Sequence, residues 1–173
     1  MYIKLFGALL ILSSGSSIGW IMANMYSSRV KELKELQLAL SILETEISYG
    51  RTILPEALKQ TAAILSQSLA DLFYKTGEEL KDSKKQSFDE IWLNRIEKYK
   101  SKSYLLKEDL EILKNWGHQL GCSDLENQIN VNQLAIKRLE QHEKIASEIA
   151  RKKVKVLRYA GVLISLMLII IFY

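Results

Sequence analysis

The chain has 173 residues, 48% of them hydrophobic, with 24 Lys and Arg against 20 Asp and Glu and a formal charge of +4. A single cysteine excludes an internal disulfide and suits a reducing compartment, and so mild a basic excess argues against nucleic acid, which calls for a concentrated basic face with interleaved aromatics. Both ends of the chain are oily and the middle is not.

Residues 5–25 form a run of 21 without a charge, and residues 159–173 a run of 15. A bilayer core about 30 Å thick needs roughly 20 helical residues, so the first run is long enough. The second gives about 22 Å of helix and spans only if residues 154–158 are drawn in, with Arg158 snorkelling to the headgroups. A cleaved signal peptide would fit Lys4 and the small cluster Ser13-Ser14-Gly15-Ser16-Ser17. Apolar character resumes in Ile18, Trp20, Ile21 and Met22, which favours an anchor. Arg29, Lys31 and Lys34 follow the first run, and Arg151, Lys152, Lys153, Lys155 and Arg158 precede the second. Lysine and arginine mark the cytoplasmic flank, so the middle should be cytoplasmic. The five basic residues before the last helix suit anionic headgroups of the bilayer.

The middle reads as helix. After Ser27-Ser28, Leu33, Leu36, Leu40, Leu43 and Ile47 recur at spacings of 3, 4, 3 and 4, one seam of a helix ending at Gly50. Pro55 suits the first turn of the next helix, with Leu58, Ala62, Leu65, Leu69 and Leu72 as its stripe. Three hydroxyl residues precede a glutamate by three positions, as capping boxes do: Thr76 with Glu79, Ser87 with Glu90, and Ser123 with Glu126. Residues 76–86 are expected to be a polar connector. Ser87 opens a helix with Phe88, Ile91, Trp92 and Ile96 inward. Another begins near Ser103, carries Leu106, Leu110 and Leu113, and stops after Leu120 at Gly121. From Ser123 the longest helix follows, with Leu125, Ile129, Ile136 and Leu139 apolar and no proline or glycine before Gly161, so it is expected to run unbroken into the membrane.

Chemistry is sparse: no phosphate loop, paired metal-spaced histidines or nucleophile motif. His118 and Cys122, four apart, are the best catalytic candidates, yet Gly121 separates them and no third orienting group is present. His142 reads as part of a solvated face. No enzyme and no cofactor is expected. Gly7, Gly15, Gly19 and Ala23 mark a small-residue stripe in the first membrane helix, and Gly161 and Ser165 share its four-residue spacing in the last. Such stripes are packing faces in lipid, serving each other or another subunit, a second copy included. Glu44 and Glu46, near a helix end, oppose its dipole. A solvated face accounts for Glu44, whereas Glu46 beside Ile47 suits a partner or a buried base.

The run Leu-Glu-Thr-Glu-Ile-Ser-Tyr-Gly at 43–50, followed by Thr52, Leu54, Pro55, Glu56, Ala57 and Leu58, resembles the stage III sporulation protein AB family. So do Leu5, Gly7 and Ala8 near the start, Leu120-Gly121-Cys122-Ser123-Asp124 with Gln128, and the basic tail leading into an apolar end. Ile53 departs from the family pattern, which commonly has proline there. The resemblance implies a membrane subunit of the complex built between mother cell and forespore, similar to the platform protein of type II secretion and type IV pilus machines. Its implied partners are a cytoplasmic sporulation ATPase and the other membrane subunits, with Glu44, Glu46, Tyr49, Gly121, Ser123 and Asp124 as the protein-binding residues.

The expected fold is therefore all-α, a six-helix-type antiparallel bundle flanked by N- and C-terminal transmembrane helices. The expected divisions are 1–25 for the first membrane helix, 26–155 for the cytoplasmic domain and 156–173 for the last membrane helix. The expected location is the mother-cell membrane around the forespore. Two rival classes share these features: a membrane-tethered helical scaffold for division or envelope assembly, and a membrane enzyme using Cys122 and His118.

Overall fold

The computed structural model describes residues 2–50, 52–82, 86–120 and 125–172. Among them are six α-helices and no strand: α1 (Tyr2–Ser48), α2 (Leu54–Ala62), α3 (Gln67–Asp82), α4 (Phe88–Lys100), α5 (Lys107–Leu120) and α6 (Leu125–Phe172). The chain divides into two compact units. One is Met1–Val30 with Lys144–Tyr173, the other Lys31–Glu143.

In the second unit α2 packs on α3, α3 on α4, and α4 on α5. The seam of α1 delivers Leu33, Leu36, Leu40 and Leu43 to the core, where they are essentially inaccessible, together with Leu58, Leu69, Leu113 and Leu139. At its centre the Trp92 and Trp116 rings meet edge-on with centroids 4.9 Å apart, flanked by Phe73 and Phe88. Both indoles are satisfied: Trp92 Nε1 donates to the Leu113 carbonyl at 2.8 Å and Trp116 Nε1 to Asn132 Oδ1 at 3.0 Å. Each such ring buries about 150–250 Å² and gains further from edge-on contact with its neighbours. The glycine at 117 is what lets α5 approach it, because a Cβ there would lie 2.0 Å from Trp92 Cδ1.

Several sequence expectations need correction. Ser27 and Ser28 do not start a helix; α1 runs through them. The stripe from Leu58 to Leu72 belongs to two helices, because the chain turns at residues 63–66, where Ser66 donates its N–H and hydroxyl to the Glu35 carboxylate on α1. Thr76 does not cap a helix. It is buried within α3 and donates to the Leu72 carbonyl at 2.7 Å, while Glu79 pairs with Arg95. Residues 76–82 are therefore helix rather than connector, and Ser83 lies outside the described residues. The start expected near Ser103 falls at Lys107, since Ser103 instead donates to Glu32. Asp109 Oδ2 reaches back to the Leu106 N–H at 2.9 Å, leaving Leu106 half exposed rather than inward. Ser87 does cap α4, accepting from the Glu90 N–H at 3.3 Å. Gly121, Cys122, Ser123 and Asp124, including the expected stop and capping box, lie outside the described residues.

α6 is unbroken through Gly161, yet its inward stripe is Val131, Asn132, Ala135 and Leu139, continued by Ala146 and Ala150. Ile129 and Ile136 are only half-buried. α1 and α6 are each long and apolar enough to cross a membrane. Phe6, Leu9, Trp20, Ile164 and Ile170 stand exposed along them, a surface that is costly in water and natural in lipid.

Candidate docking end and membrane-helix crossing

The carboxyl end of α1 comes together with the carboxyl end of α5 and the start of α6. Leu43, Glu44, Ile47 and Ser48 face Leu120, Gln128, Ile129 and Asn132 around a small hollow. Glu44 accepts from Asn132 Nδ2 at 3.0 Å and from Gln133 Nε2 at 3.0 Å. Asn132 is itself buried and also donates to the Leu40 carbonyl at 2.9 Å. Glu44 is thus bound to α6 rather than merely solvated. Glu46 accepts from the Thr52 hydroxyl at 3.2 Å, and its carbonyl from the Thr52 N–H, closing the turn after α1. Gly50 is required there, because a Cβ would lie 2.7 Å from the Glu46 carbonyl. Within and just after this turn the chain exposes two large apolar side chains, Tyr49 at 87% and Ile53 at 71%. Of the six protein-binding candidates, Glu44, Glu46 and Tyr49 therefore sit together at one end of the unit. The other three, Gly121, Ser123 and Asp124, lie outside the described residues.

Near the other end of α1's share of this unit, Glu32 is buried and receives hydrogen bonds from the Tyr99 and Ser103 hydroxyls and from the Tyr104 N–H at 2.9 Å. Burial first, then the Glu32 charge, pushes the Tyr99 phenol well above its ordinary value. His142 is no solvated residue either: its Nδ1 lies 2.7 Å from Oδ1 of the fully buried Asp109. His118 pairs with Asp89 at 2.9 Å and is mostly exposed. Among the described residues, no group of three or more His, Cys, Asp or Glu side chains could hold a metal ion. Sequence reading missed Asn132, Glu32 and Asp109. Asn132 had a signal: it stands three from Ile129 and four from Ile136, a polar residue on an apolar stripe.

In the first unit α1 and α6 cross at their small residues. A Cβ on Gly15 would lie 1.9 Å from Ser165 Oγ, one on Gly19 2.7 Å from the Leu157 carbonyl, and one on Gly161 2.6 Å from the Gly15 carbonyl. Ser165 is buried, with its hydroxyl donated to the Gly161 carbonyl at 2.8 Å, and Ala23 continues the buried face. Gly7, by contrast, has nothing within 4 Å and takes no part in the crossing. In lipid, where apolar area alone gives helices no reason to associate, such backbone approach is what packs them.

The profile of the family described as stage III sporulation protein AB matches residues 4–173. A relative, stage III sporulation protein AB of Bacillus subtilis (strain 168), is 33% identical over 169 residues, which is 98% of this chain and 98% of the relative. A solved structure of stage III sporulation protein AB superposes with a TM-score of 0.67 at 31% identity, covering 72% of this chain and 97% of the solved one. Profile, full-length relative and superposition agree, and the chain belongs to the stage III sporulation protein AB family.

Proposed function

We propose that the chain is a membrane-embedded structural and assembly subunit of the complex between mother cell and forespore, and that its helical unit docks a cytoplasmic ATPase. The observation that carries the docking is the exposure of Tyr49 and Ile53 beside the charged end of α1. Large apolar side chains ringed by polar groups are the usual anchors of protein interfaces. Glu44 and Glu46 border these anchors while serving the fold, and Gly121, Ser123 and Asp124 stay candidates on the family resemblance of their sequence. The membrane location is the mother-cell membrane around the forespore, crossed by α1 and α6, with the helical unit in the cytoplasm on the side of the lysine and arginine flanks. The other membrane subunits of the complex are its remaining partners. A platform of this kind works without a catalytic centre of its own, because the hydrolysis takes place in the docked ATPase.

Two measurements test this. A reporter after Tyr173 is expected on the far side of the membrane and one inserted at Ser83 in the cytoplasm; the reverse pattern defeats ATPase docking outright. Tyr49→Ala with Ile53→Ser should leave melting nearly unchanged, as exposed positions do, while abolishing recovery of the ATPase with the solubilised chain from sporulating cells. Full recovery by that variant would move the docking surface elsewhere, and a parent chain that recovers no ATPase would favour the scaffold reading.

A further inference from the structure

An apolar cleft of about 180 Å³ opens beside the glycine crossing of the first unit, walled by Ile18, Met22, Leu157 and Ile164. It is an open groove, with Ile18, Met22 and Ile164 of its wall largely exposed, and such an aliphatic surface is costly in water and suited to a hydrocarbon chain. The cleft has a direction. Ile18, Met22 and Tyr26 stand four apart on one face of α1, as Leu157 and Lys153 do on α6. One helical turn beyond Met22 and Leu157, Lys153 Nζ lies 3.5 Å from the Tyr26 hydroxyl and 5.3 Å from the centre of its ring. The apolar cleft thus opens onto an ammonium and a phenol.

Charge is segregated in the same sense. The unit Met1–Val30 with Lys144–Tyr173 holds eight Lys and Arg against the single acid Glu148, and all but Lys4 of the eight stand at positions 29 and 144–158. The unit Lys31–Glu143 holds 16 basic residues against 19 acidic ones. The basic excess of the whole chain therefore lies in the unit that holds the cleft, most of it on the stretch of α6 that includes Lys153. An occupant with an aliphatic tail and an anionic head matches both halves, whereas a neighbouring helix would match only the first.

We propose that this cleft is a binding site for an anionic phospholipid of the bilayer, its acyl chain lying along Ile18, Met22, Leu157 and Ile164 and its phosphate held by Lys153 and the Tyr26 hydroxyl. Arg151, Lys155 and Arg158, exposed at spacings of four and three, stand on the opposite face of α6 from Lys153 and Leu157 and take no part in the site. The site rests on the reading of α1 and α6 as membrane helices, and the experiment separates the two claims. The full chain is reconstituted in phosphatidylcholine vesicles and insertion is checked by resistance to alkaline extraction. Trace spin-labelled phosphatidylglycerol or phosphatidylcholine then reports, by electron paramagnetic resonance, the fraction of lipid whose motion the protein restricts. Phosphatidylglycerol should be preferred about fivefold, the factor expected for one cation near the surface. Lys153→Gln with Tyr26→Phe should bring that ratio close to one. Ala160→Phe, which fills the cleft, should lower the restricted fraction of both lipids, and Gly7→Leu should change neither. An inserted chain with equal preference for the two lipids, or a preference that survives the Lys153 and Tyr26 changes, overturns the site alone. Ile18→Cys copies that crosslink while no lipid is restricted would assign the cleft to a second copy. Alkaline extraction of the parent chain would overturn the membrane reading and this one with it.

Discussion

Gly117 shows how one position can set a core. Its backbone lies against Trp92, whose ring is held by Phe73, Phe88 and Trp116 and by the bond from Nε1 to Leu113, so the ring has nowhere to retreat. Gly117→Ala would gain about 1 kcal/mol of helix propensity and lose about 3 kcal/mol to overpacking, so the solubilised protein should be destabilised by about 2 kcal/mol in thermal or denaturant unfolding. Tyr99 makes a different demand. Its phenol is raised above the ordinary value of 10.0 in the folded state, by burial and by Glu32. The unfolded chain therefore releases this proton first as pH rises. The contribution is complete below pH 10 and is lost above it, at up to about 1.4 kcal/mol per pH unit. Unfolding measured from pH 8 to 11 should fall more steeply for the parent than for Tyr99→Phe; equal slopes would mean that the phenol ionises freely in the folded state.

At the scale of elements, the polar node at Asn132 joins three helices. It accepts from Trp116 on α5, sits on α6, and donates to Leu40 and Glu44 on α1. Asn132→Leu conserves volume but strands a buried indole N–H and removes a donor from a carboxylate, at about 1 to 3 kcal/mol for each group left unpaired. A loss of about 3 kcal/mol is expected in unfolding of the solubilised chain. Glu44→Gln should cost less, because an amide oxygen still accepts there. Periodicity made the seam of α1 and the inward faces of α4 legible, since a leucine stripe repeats whatever it packs against. The break between α2 and α3 was not legible: nothing local stops the helix at Ala62, and the turn is held by Glu35, 31 residues away from Ser66. Thr76 misled for the complementary reason. A hydroxyl three before a glutamate is a cap only when it stands at a helix start, and α3 was already under way at that point.

At the scale of the whole molecule, the crossing of α1 and α6 lends itself to a test independent of the helical unit. Gly15→Leu with Gly19→Leu places bulk where less than 3 Å is available, so α1 and α6 should separate there. Disulfide crosslinking between cysteines placed beside the crossing should fall severalfold, while the far-UV helicity and melting of the Lys31–Glu143 portion should hold. Unaltered crosslinking would mean that lipid tolerates the bulk and the close approach is incidental.

Length and distribution of apolar residues by themselves determined that this protein is helical, that its two longest helices can cross a membrane, and where its charge lies, because those properties follow from hydropathy and helical period along the chain. The size and spacing of Gly15, Gly19, Gly161 and Ser165 marked a packing face without saying for what, and the backbone approach of the two stripes to each other is seen only in the folded chain. Which acids serve the fold was decided only by tertiary structure. Glu32, Glu44 and Asp109 carry the same carboxylate as any solvated neighbour, and only the arrival of Tyr99, Asn132 and His142 from distant segments turns each from a surface charge into a buried or half-buried acceptor whose loss would leave donors unmatched.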